Sequence, residues 1–317
     1  MKKTDSDIVL AAPVRTPIGK FLGGLSPLTA PDLGTAAARA ALERAGLDPK
    51  HVDQVIFGHG RQAGSGPNSG RQVAVRAGVP VDRPAFTVNQ ACASGLQAVL
   101  SAARTILTGE ARVVLAGGME SMSNTPYLLP RARTGYRLGN AEIVDGMYKD
   151  GFNCPLSDLV MGETAEELAR EVGIDRAASD AYALESQLRC ERARAEGRFD
   201  SEVVPVSVPG RKGDVTISRD EHPRDGATLD SMLKLKPVFR DDGVVTAGNA
   251  SGITDGAAAI IVASRAAAKD LGLPVVARLS GWHVVGVEPR IMGIGPVPAV
   301  RKLLKKTGLD TGAIDEV

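Results

Sequence analysis

Short apolar runs alternate with helix-like patterns along the first 118 residues, and this alternation constrains the fold more than any other feature of the sequence. A short apolar run bounded by turn signals predicts a buried strand, whereas apolar residues that recur every three to four positions predict a helix. Strands that alternate with helices predict an α/β fold with a largely buried sheet. The predicted strands are 7–14, 52–60, 83–90 and 111–118, and the predicted helices are 30–47 and 94–107.

The segment from about 119 to 246 has a different character, with more charge, several Pro and Gly breaks, and two polar helical patterns at 163–173 and 175–197. We interpret it as a lid inserted in the α/β core, because the strand-and-helix pattern resumes with 248–264. The predicted organisation is an N-terminal α/β half at 1–118 that carries the candidate nucleophile, a lid at 119–249, and the start of a second α/β half at 250–317.

An internal repeat supports a duplicated core. Residues 38–55 align without gaps to residues 300–317, and seven of the eighteen positions are identical. Each copy contains a helix, a Gly-Leu-Asp turn and the entry to a strand, so we interpret them as two copies of one α/β unit. The alternative is that this pattern is only a common helix-to-strand junction. Since the second copy ends at Val317, before anything that corresponds to the region of Cys92, we expect the second half of the fold to be incomplete.

Charge and cysteine content argue against several classes of protein. The formal net charge of +1 gives no electrostatic reason to expect a nucleic-acid or anionic-membrane partner. Cys92, Cys154 and Cys190 are widely spaced, so neither a disulfide framework nor a structural metal site is predicted. No apolar stretch is long enough to span a membrane, no signal peptide is recognisable, and a cytoplasmic protein is expected. The stretch AGSGPNSG at 63–70 is not a GxGxxG motif and is predicted to be a plain loop that does not open a helix.

Cys92 lies where a predicted strand gives way to a predicted helix, in NQACASGLQAV, between small residues that let a substrate approach. A helix N-terminus favours a thiolate over a thiol, so this position suits a nucleophile. The alternative is that Cys92 is simply a small buried apolar residue. Because a helix end contributes only about 0.3–1 kcal/mol, a base or a cation must assist the thiol.

The chain contains four histidines that could supply this base: His51, His59, His222 and His283. None lies in a motif that demands catalysis, and a core or surface histidine without a catalytic role is the simpler interpretation of each. His59, at the end of a predicted strand, is the best candidate.

Several long stretches resemble the thiolases, the acetyl-CoA acetyltransferase family, and they follow the order of that family across nearly the whole chain. They are NQACASGLQAV around Cys92, LAGGMESMSNTPY (115–127), MGETAEELA (161–169), GATLDSMLKLKPVF (226–239), VTAGNASGITDGAAA (245–259) and GVEPRIMGIGPVPA (286–299). On these stretches the chain is identified as a member of the family.

The resemblance implies a duplicated α/β fold in five layers (α-β-α-β-α), with two sheets and a lid inserted in the first half. It implies that Cys92 accepts an acyl group from an acyl-CoA, with its own backbone N–H as one oxyanion donor. The acyl-enzyme then condenses with acetyl-CoA, or the reverse reaction cleaves a 3-ketoacyl-CoA. No cofactor is implied, because the coenzyme A thioesters are the substrates.

The resemblance also assigns the lid to coenzyme A binding. Arg224 and Ser231 would contact the nucleotide and pantetheine portions, and the pantetheine channel would be lined by Phe152, Met161, Phe239, Ala247 and Ser251. Taken alone, Met161 and Phe239 could equally pack in a core, and Arg224 would be a solvated charge. The loop at 119–139 resembles the one that joins dimers into tetramers, so a homo-oligomer, either a dimer or a tetramer, is expected.

The sequence departs from the family pattern in three respects. Val160 stands where some biosynthetic members have histidine, which leaves the acyl-chain preference open, and Thr254 stands where the family usually has asparagine. The later family motifs do not occur: an Asn-Glu-Ala-Phe stretch, a Gly-His-Pro stretch with the activating histidine, and a second catalytic cysteine followed by glycines. We therefore expect residues 1–317 alone not to turn over substrate.

Two alternatives stay open at this stage. The chain could be a non-catalytic protein that binds acyl-CoA or lipid, having kept the lid and lost turnover. A ketoacyl synthase is a further candidate, but carrier-protein-dependent relatives lack such a coenzyme A lid.

Overall fold

The computed structural model of the chain describes residues 7–316. The strands are β1 (Ile8–Arg15), β2 (Gly19–Lys20), β3 (Gln54–Gly58), β4 (Ala85–Val88), β5 (Val113–Ser121), β6 (Tyr127–Leu128), β7 (Val144–Asp145), β8 (Asn153–Cys154), β9 (Leu159–Val160), β10 (Val206–Val208), β11 (Val215–Ile217), β12 (Thr254–Ser264) and β13 (Val275–Arg278). The helices are α1 (Ala30–Ala45), α2 (Ser69–Arg76), α3 (Ser94–Leu107), α4 (Met161–Val172), α5 (Arg176–Ala195), α6 (Leu229–Leu233), α7 (Arg265–Asp270) and α8 (Pro296–Thr307). Every strand and helix predicted in the first 118 residues forms, as do both lid helices.

The chain divides into two compact units. The first contains residues up to Met147 together with Phe199–His222 and Gly252–Leu279, and the second contains Tyr148–Arg198, Pro223–Ser251 and the residues from Ser280 onward. The first unit draws on separate stretches because β12 pairs with both β1 and β5. The predicted boundaries at 1–118, 119–249 and 250–317 do not coincide with these units, and the assignment of those segments as functional domains stays a prediction.

The first unit is built on a mixed seven-stranded sheet in the order β13–β1–β12–β5–β3–β4, with β2 paired to β12. β3 runs parallel to β4 and β5, as expected for strands joined by helical crossovers. β12 runs antiparallel between β1 and β5, with Ile260 opposite Ala116. Together with the helices that pack on it, this sheet confirms the α/β class.

Helices cover both faces of this sheet. Gly118 and Met119 are consecutive residues of β5, so they point to opposite faces. The Met119 sulfur lies where Gly34 of α1 would carry a side chain, at 2.7 Å from an added Cβ, while Gly118 abuts Gly95 of α3. Small residues at these positions let α1 and α3 pack closely against β5 from either side.

The ends of α1 are fixed by local side-chain chemistry. Thr29 and Asp32 form a capping box at its N-terminus, in which each side chain accepts a hydrogen bond from the other residue's backbone N–H. At its C-terminus Gly46 takes a left-handed conformation (φ 59°), which glycine adopts without strain. The buried face between these caps consists mainly of alanine and leucine and packs in the core of the first unit.

The second copy of the repeat adopts the same local structure as the first. α8 ends at Gly308 (φ 70°), as α1 ends at Gly46, and the aspartate that follows caps a short 3₁₀ turn in each copy. Asp48 accepts from the backbone N–H of Lys50, and Asp310 from that of Ala313. Val317, at which the second copy ends, lies outside the described residues.

The second large sheet implied by the duplication is not formed within residues 7–316. In that range the seven-stranded sheet is the only one with more than two strands. β13, the first strand after α7, joins the edge of this sheet beside β1.

The prediction that 63–70 is a plain loop that does not open a helix was wrong. α2 begins at Ser69, and the Asn68 side chain caps it by accepting from the backbone N–H of Arg71 at 3.1 Å. The helix is short, and its buried residues Ser69, Gly70, Val73 and Ala74 do not form a strong apolar period. A cap of this kind is a weak signal when an apolar pattern does not follow it.

The second unit is organised by buried acidic side chains. Glu166 on α4 is 4% exposed and accepts from the backbone N–H groups of Val244 and Val245, each at 2.9 Å. Asp180 on α5 pairs with Arg176 at 2.6 Å and accepts from the Asn249 amide at 2.9 Å. These bonds order the irregular stretch from 244 to 249.

Candidate active site

Cys92 is exposed on the turn between β4 and α3. The residue before it, Ala91, has a positive φ of 48°, which non-glycine residues seldom adopt. The Ser94 hydroxyl bridges this turn: it accepts from the backbone N–H of Gln90 at 2.9 Å and donates to the carbonyl oxygen of Ala91 at 2.6 Å. The turn thus holds the thiol outward, two residues before the first residue of α3.

The start of α3 packs tightly on the end of β3. A Cβ added to Gly58 would overlap the backbone of Ser94 and Gly95, so only glycine permits this approach. The N-terminus of a helix attracts negative charge, because its first N–H groups have no partner within the helix. The backbone N–H of Cys92 itself donates to no acceptor within residues 7–316, which leaves it available for an oxyanion.

Cys92 opens onto a cavity of about 680 Å³ within the first unit. Most of the lining is glycine, alanine or another apolar residue. Three charged residues, Arg15, Arg61 and Glu120, also line it. Arg15 is paired with Glu202 and Asp220, each at 2.7 Å. Glu120 is bound by backbone N–H groups and lies at the wall. The cavity therefore presents the thiol to a largely apolar space, as is usual for a small-molecule site.

The structure does not place His59, the best internal candidate for the base, in the lining of this cavity. Its ring is fully buried, with Nδ1 at 2.9 Å from the Ser69 hydroxyl and Nε2 at 3.3 Å from Glu120 Oε1. It follows the last residue of β3 and is absent from the cavity lining. Among the described residues, no histidine lines this cavity.

Cys154 and Cys190 are partly buried and are not among the residues that line this cavity. Hydrogen bonds from the Ser157 hydroxyl and from the backbone N–H of Leu156 lower the pKa of the Cys154 thiol. Cys92 is the cysteine that combines exposure, a helix N-terminus and a cavity. Its role as the nucleophile stays a prediction.

The predicted coenzyme A residues all belong to the second unit. Phe239 packs on α4, because its ring occupies the space where Gly162, the neighbour of Met161, would carry a Cβ. Ser231 is exposed on α6, and its hydroxyl donates to the carbonyl oxygen of Thr228 at 2.6 Å. Met161 therefore lies next in sequence to Gly162, the residue that the Phe239 ring covers.

Four further predicted residues also lie in the second unit. Arg224 is exposed, and its backbone N–H donates to the Gln187 side chain at 3.0 Å. Phe152 is half-buried against Tyr148, with ring centroids 5.5 Å apart. Ala247 and Ser251 are exposed at the two ends of one short loop. Their roles in binding stay predictions.

Three residues near Cys92 were not singled out from the sequence. Asn89 and Glu120 bind the backbone around the nucleophile turn, and Gly58 lets the helix approach the strand. An asparagine just before a strand-to-helix turn is a signal for Asn89, since Asn side chains often bond the backbone two residues on. Glu120 could not be found in this way, because its partners are 59 or more positions away.

No helix within residues 7–316 has the length and apolar character needed to cross a membrane. In the same range, no group of three or more His, Cys, Asp or Glu side chains is arranged to hold a metal ion.

Two family models match the chain in succession. The thiolase N-terminal domain matches residues 8–266, and the thiolase C-terminal domain matches residues 273–317. Residues that match both thiolase domain models are therefore present.

Curated relatives and a solved structure agree with these matches. An acetyl-CoA acetyltransferase of Cupriavidus necator is 49% identical over 95% of this chain and 77% of its own length. One from Pseudomonas aeruginosa is 49% identical over 98% and 79%. The crystal structure of the Bacillus anthracis acetyl-CoA acetyltransferase superposes with a TM-score of 0.95 at 42% identity, covering 98% of this chain and 78% of that one. With the Cys92 turn at the start of α3, these matches show that the chain belongs to the thiolase family.

Proposed function

We propose that this chain transfers acyl groups between coenzyme A thioesters, with Cys92 as the nucleophile. The observation that carries the proposal is the exposed thiol at the N-terminus of α3, facing an apolar cavity of about 680 Å³. The relatives that are 49% identical are named acetyl-CoA acetyltransferases, which supports acetyl-CoA as one substrate.

In the proposed first step the Cys92 thiolate attacks the carbonyl carbon of an acyl-CoA. The bond from that carbon to the coenzyme A sulfur breaks, a thioester forms on Cys92, and coenzyme A leaves and takes up a proton. The free backbone N–H of Cys92 supports this step, because it can donate to the oxyanion. The acyl-enzyme then condenses with acetyl-CoA, or the reverse reaction cleaves a 3-ketoacyl-CoA.

We assign coenzyme A binding to the second unit, through Arg224, Ser231, Phe152, Met161, Phe239, Ala247 and Ser251. The exposed guanidinium of Arg224 suits the nucleotide portion, and the half-buried rings of Phe152 and Phe239 suit the uncharged pantetheine arm. Coenzyme A enters as a substrate, and no separate cofactor or metal is required.

A finer proposal concerns turnover by residues 1–317 alone. Within the described residues the cavity lining contains Cys92 but no histidine and no second cysteine, and its one carboxylate, Glu120, already accepts from the backbone N–H groups of Gly60 and Arg61. We therefore propose that this polypeptide forms the acyl-enzyme slowly and does not sustain the full reaction. The same observation favours the second candidate function, a protein that binds acyl-CoA without turnover.

The test separates these outcomes. After incubation with acetyl-CoA, intact mass should rise by one acetyl group, and peptide mapping should locate it on Cys92. Cys92→Ser should abolish the change, whereas the matched Cys154→Ser should leave it intact. Binding of acetyl-CoA without acylation would favour the non-catalytic alternative, and steady-state thiolysis of acetoacetyl-CoA would overturn the proposal on turnover.

We also propose that the protein is a cytoplasmic homo-oligomer. The resemblance of the loop at 119–139 to a tetramerising loop supports a dimer or a tetramer. Sedimentation analysis gives the oligomeric state, and a monomer at micromolar concentration would contradict it. Fractionation of cells against a cytoplasmic marker tests the location.

A further inference from the structure

The side-chain amide of Asn89 links the turn that carries Cys92 to a neighbouring loop by two hydrogen bonds. Asn89 Oδ1 accepts from the backbone N–H of Ala91 at 2.9 Å, and Asn89 Nδ2 donates to the carbonyl oxygen of Gly60 at 2.9 Å. One arm accepts and the other donates, so only an amide fits both partners. An aspartate would place a negative charge against the Gly60 carbonyl oxygen.

Gly60, which accepts a hydrogen bond from the Asn89 amide, is itself hydrogen-bonded to the sheet. Glu120 on β5 accepts from the backbone N–H of Gly60 at 3.1 Å and from that of Arg61 at 3.2 Å. The preceding residue, His59, donates its backbone N–H to Val88 at the end of β4. A rigid strand pair therefore holds one end of the amide bridge.

The other end of the bridge is the strained residue of the turn. Ala91 has a φ of 48°, a conformation that costs energy for any residue with a Cβ and persists only when its surroundings enforce it. The Asn89 acceptor arm and the Ser94 hydroxyl hold its N–H and its carbonyl group respectively. Cys92 follows directly, so the orientation of its side chain and backbone N–H depends on this conformation.

We propose that Asn89 is a positioning residue for Cys92: by bridging Ala91 and Gly60 it enforces the left-handed turn that aims the thiol from the start of α3. It does not touch the acyl group. The inference rests on the proposed function for its kinetic readout, since the reaction that it improves is acylation of Cys92 by an acyl-CoA.

The test is single-turnover acylation by acetyl-CoA in the full chain, measured by quenching and intact mass. Asn89→Ala should lower the rate constant at saturating acetyl-CoA by about tenfold, which corresponds to about 1.36 kcal/mol, while the half-saturating concentration stays unchanged. Asn89→Asp should be impaired similarly, because it loses the donor arm. Adding Ala91→Gly to Asn89→Ala should restore part of the rate, since glycine adopts the positive φ without a side-chain clash.

Asn68 provides the matched control. It also uses both arms of an amide, accepting from Arg71 at 3.1 Å and donating to the Ala85 carbonyl oxygen at 3.0 Å, but it caps α2. Asn68→Ala should lower the melting temperature without changing the acylation rate constant. If Asn89→Ala acylates at the unmodified rate, or if Asn68→Ala is slowed equally, the positioning role is wrong.

A second readout does not depend on the proposed function. Alkylation by iodoacetamide, mapped by peptide mass, should be slower at Cys92 in Asn89→Ala, with the rates at Cys154 and Cys190 unchanged as internal references. If the unmodified chain is not acylated by acetyl-CoA at all, the proposed function fails and alkylation alone decides the inference. Equal alkylation of Cys92 in both proteins would overturn it.

Discussion

At the scale of single residues, Asp255 is a buried acid with a structural role. It lies near the start of β12 with 1% of its surface exposed, and its carboxylate accepts from both the backbone N–H (2.9 Å) and the hydroxyl (2.6 Å) of Ser123. Burial raises the pKa of this carboxyl, although the hydrogen bonds from Ser123 oppose that shift. Keeping Asp255 charged in the folded state therefore lowers the free energy of unfolding.

The raised pKa predicts a pH dependence of stability. Between the ordinary value of 3.8 and the higher folded value, the native state binds more protons than the unfolded state, so the contribution of Asp255 falls as pH rises. An asparagine side chain at this position could accept from the Ser123 N–H and donate to its hydroxyl without the charge. Asp255→Asn should therefore be at least as stable as the unmodified protein at neutral pH, with an advantage that shrinks on acidification.

Urea denaturation at a series of pH values measures this difference. The exposed Asp82→Asn is the matched control, and it should follow the unmodified protein throughout. An Asp255→Asn variant that is less stable at neutral pH than at acidic pH, relative to the unmodified chain, would contradict the assigned cause.

The positions of some residues of the candidate site could be predicted from the sequence, and those of others could not. The position of Cys92 on an exposed turn was predictable because a strand, a turn of small residues and a helix follow one another along the chain. The burial of His59 was not predictable, because it depends on Ser69 and Glu120, which β3 meets only in the folded sheet. The same limit applies to Gly60, whose partner Glu120 comes from a distant strand.

At the scale of elements, α1 and α8 show how one sequence pattern can have two packing outcomes. Both end in a left-handed glycine and an aspartate-capped 3₁₀ turn, so local chemistry fixes their bounds alike. α1 buries ten of its residues, whereas α8 has no buried residue within the described part of the chain. Packing, and not the local signals, distinguishes the two copies.

The pair Leu42 and Leu304, which occupy the same position of the repeat, tests this difference. Leu42 is 4% exposed in the core, so Leu42→Ala should lower the free energy of unfolding by about 2–5 kcal/mol. Leu304 is only partly buried, so Leu304→Ala should cost about 1 kcal/mol or less. Urea denaturation, with each transition fitted separately, gives both values. Equal losses would mean that the apolar face of α8 is covered in solution.

The elements that sequence reasoning missed are the short ones. α1 and α3 were predictable because their apolar residues recur over four turns, and the α1 caps mark both ends. α2 has only eight residues, and β2 and β6 to β9 have two each, too few to show a period. The existence of such elements depends on tertiary partners, as the bond from Gly70 to the Thr87 hydroxyl illustrates.

At the scale of the whole molecule, the main sheet is assembled from distant parts of the sequence. β1 pairs with β12, so Ile8 lies opposite Ser264, and β12 also pairs with β5. The α/β class was predictable from local patterns, but the insertion of β12 between β1 and β5 was not. Periodicity identifies strands and does not identify their neighbours, which follow from loop-closure costs and packing of the whole chain.

Coenzyme A should stabilise the protein if the second unit binds it as proposed. A ligand that binds only the native state adds RT ln(1 + [L]/Kd), about 2.7 kcal/mol at a hundredfold excess over Kd. Thermal unfolding should therefore shift upward with coenzyme A in both the unmodified protein and Cys92→Ser, because coenzyme A carries no acyl group and its proposed binding residues do not include the thiol. Arg224→Ala should reduce the shift given by coenzyme A but not the smaller shift given by pantetheine, which lacks the nucleotide. Phe239→Ala should reduce both. Arg189→Ala is the matched control, since Arg189 pairs with Glu185 on the exposed face of α5 and should leave both shifts intact. No shift with coenzyme A in the unmodified protein would overturn the binding assignment, while equal losses in Arg224→Ala and Arg189→Ala would show a general charge effect instead of a specific contact with the nucleotide.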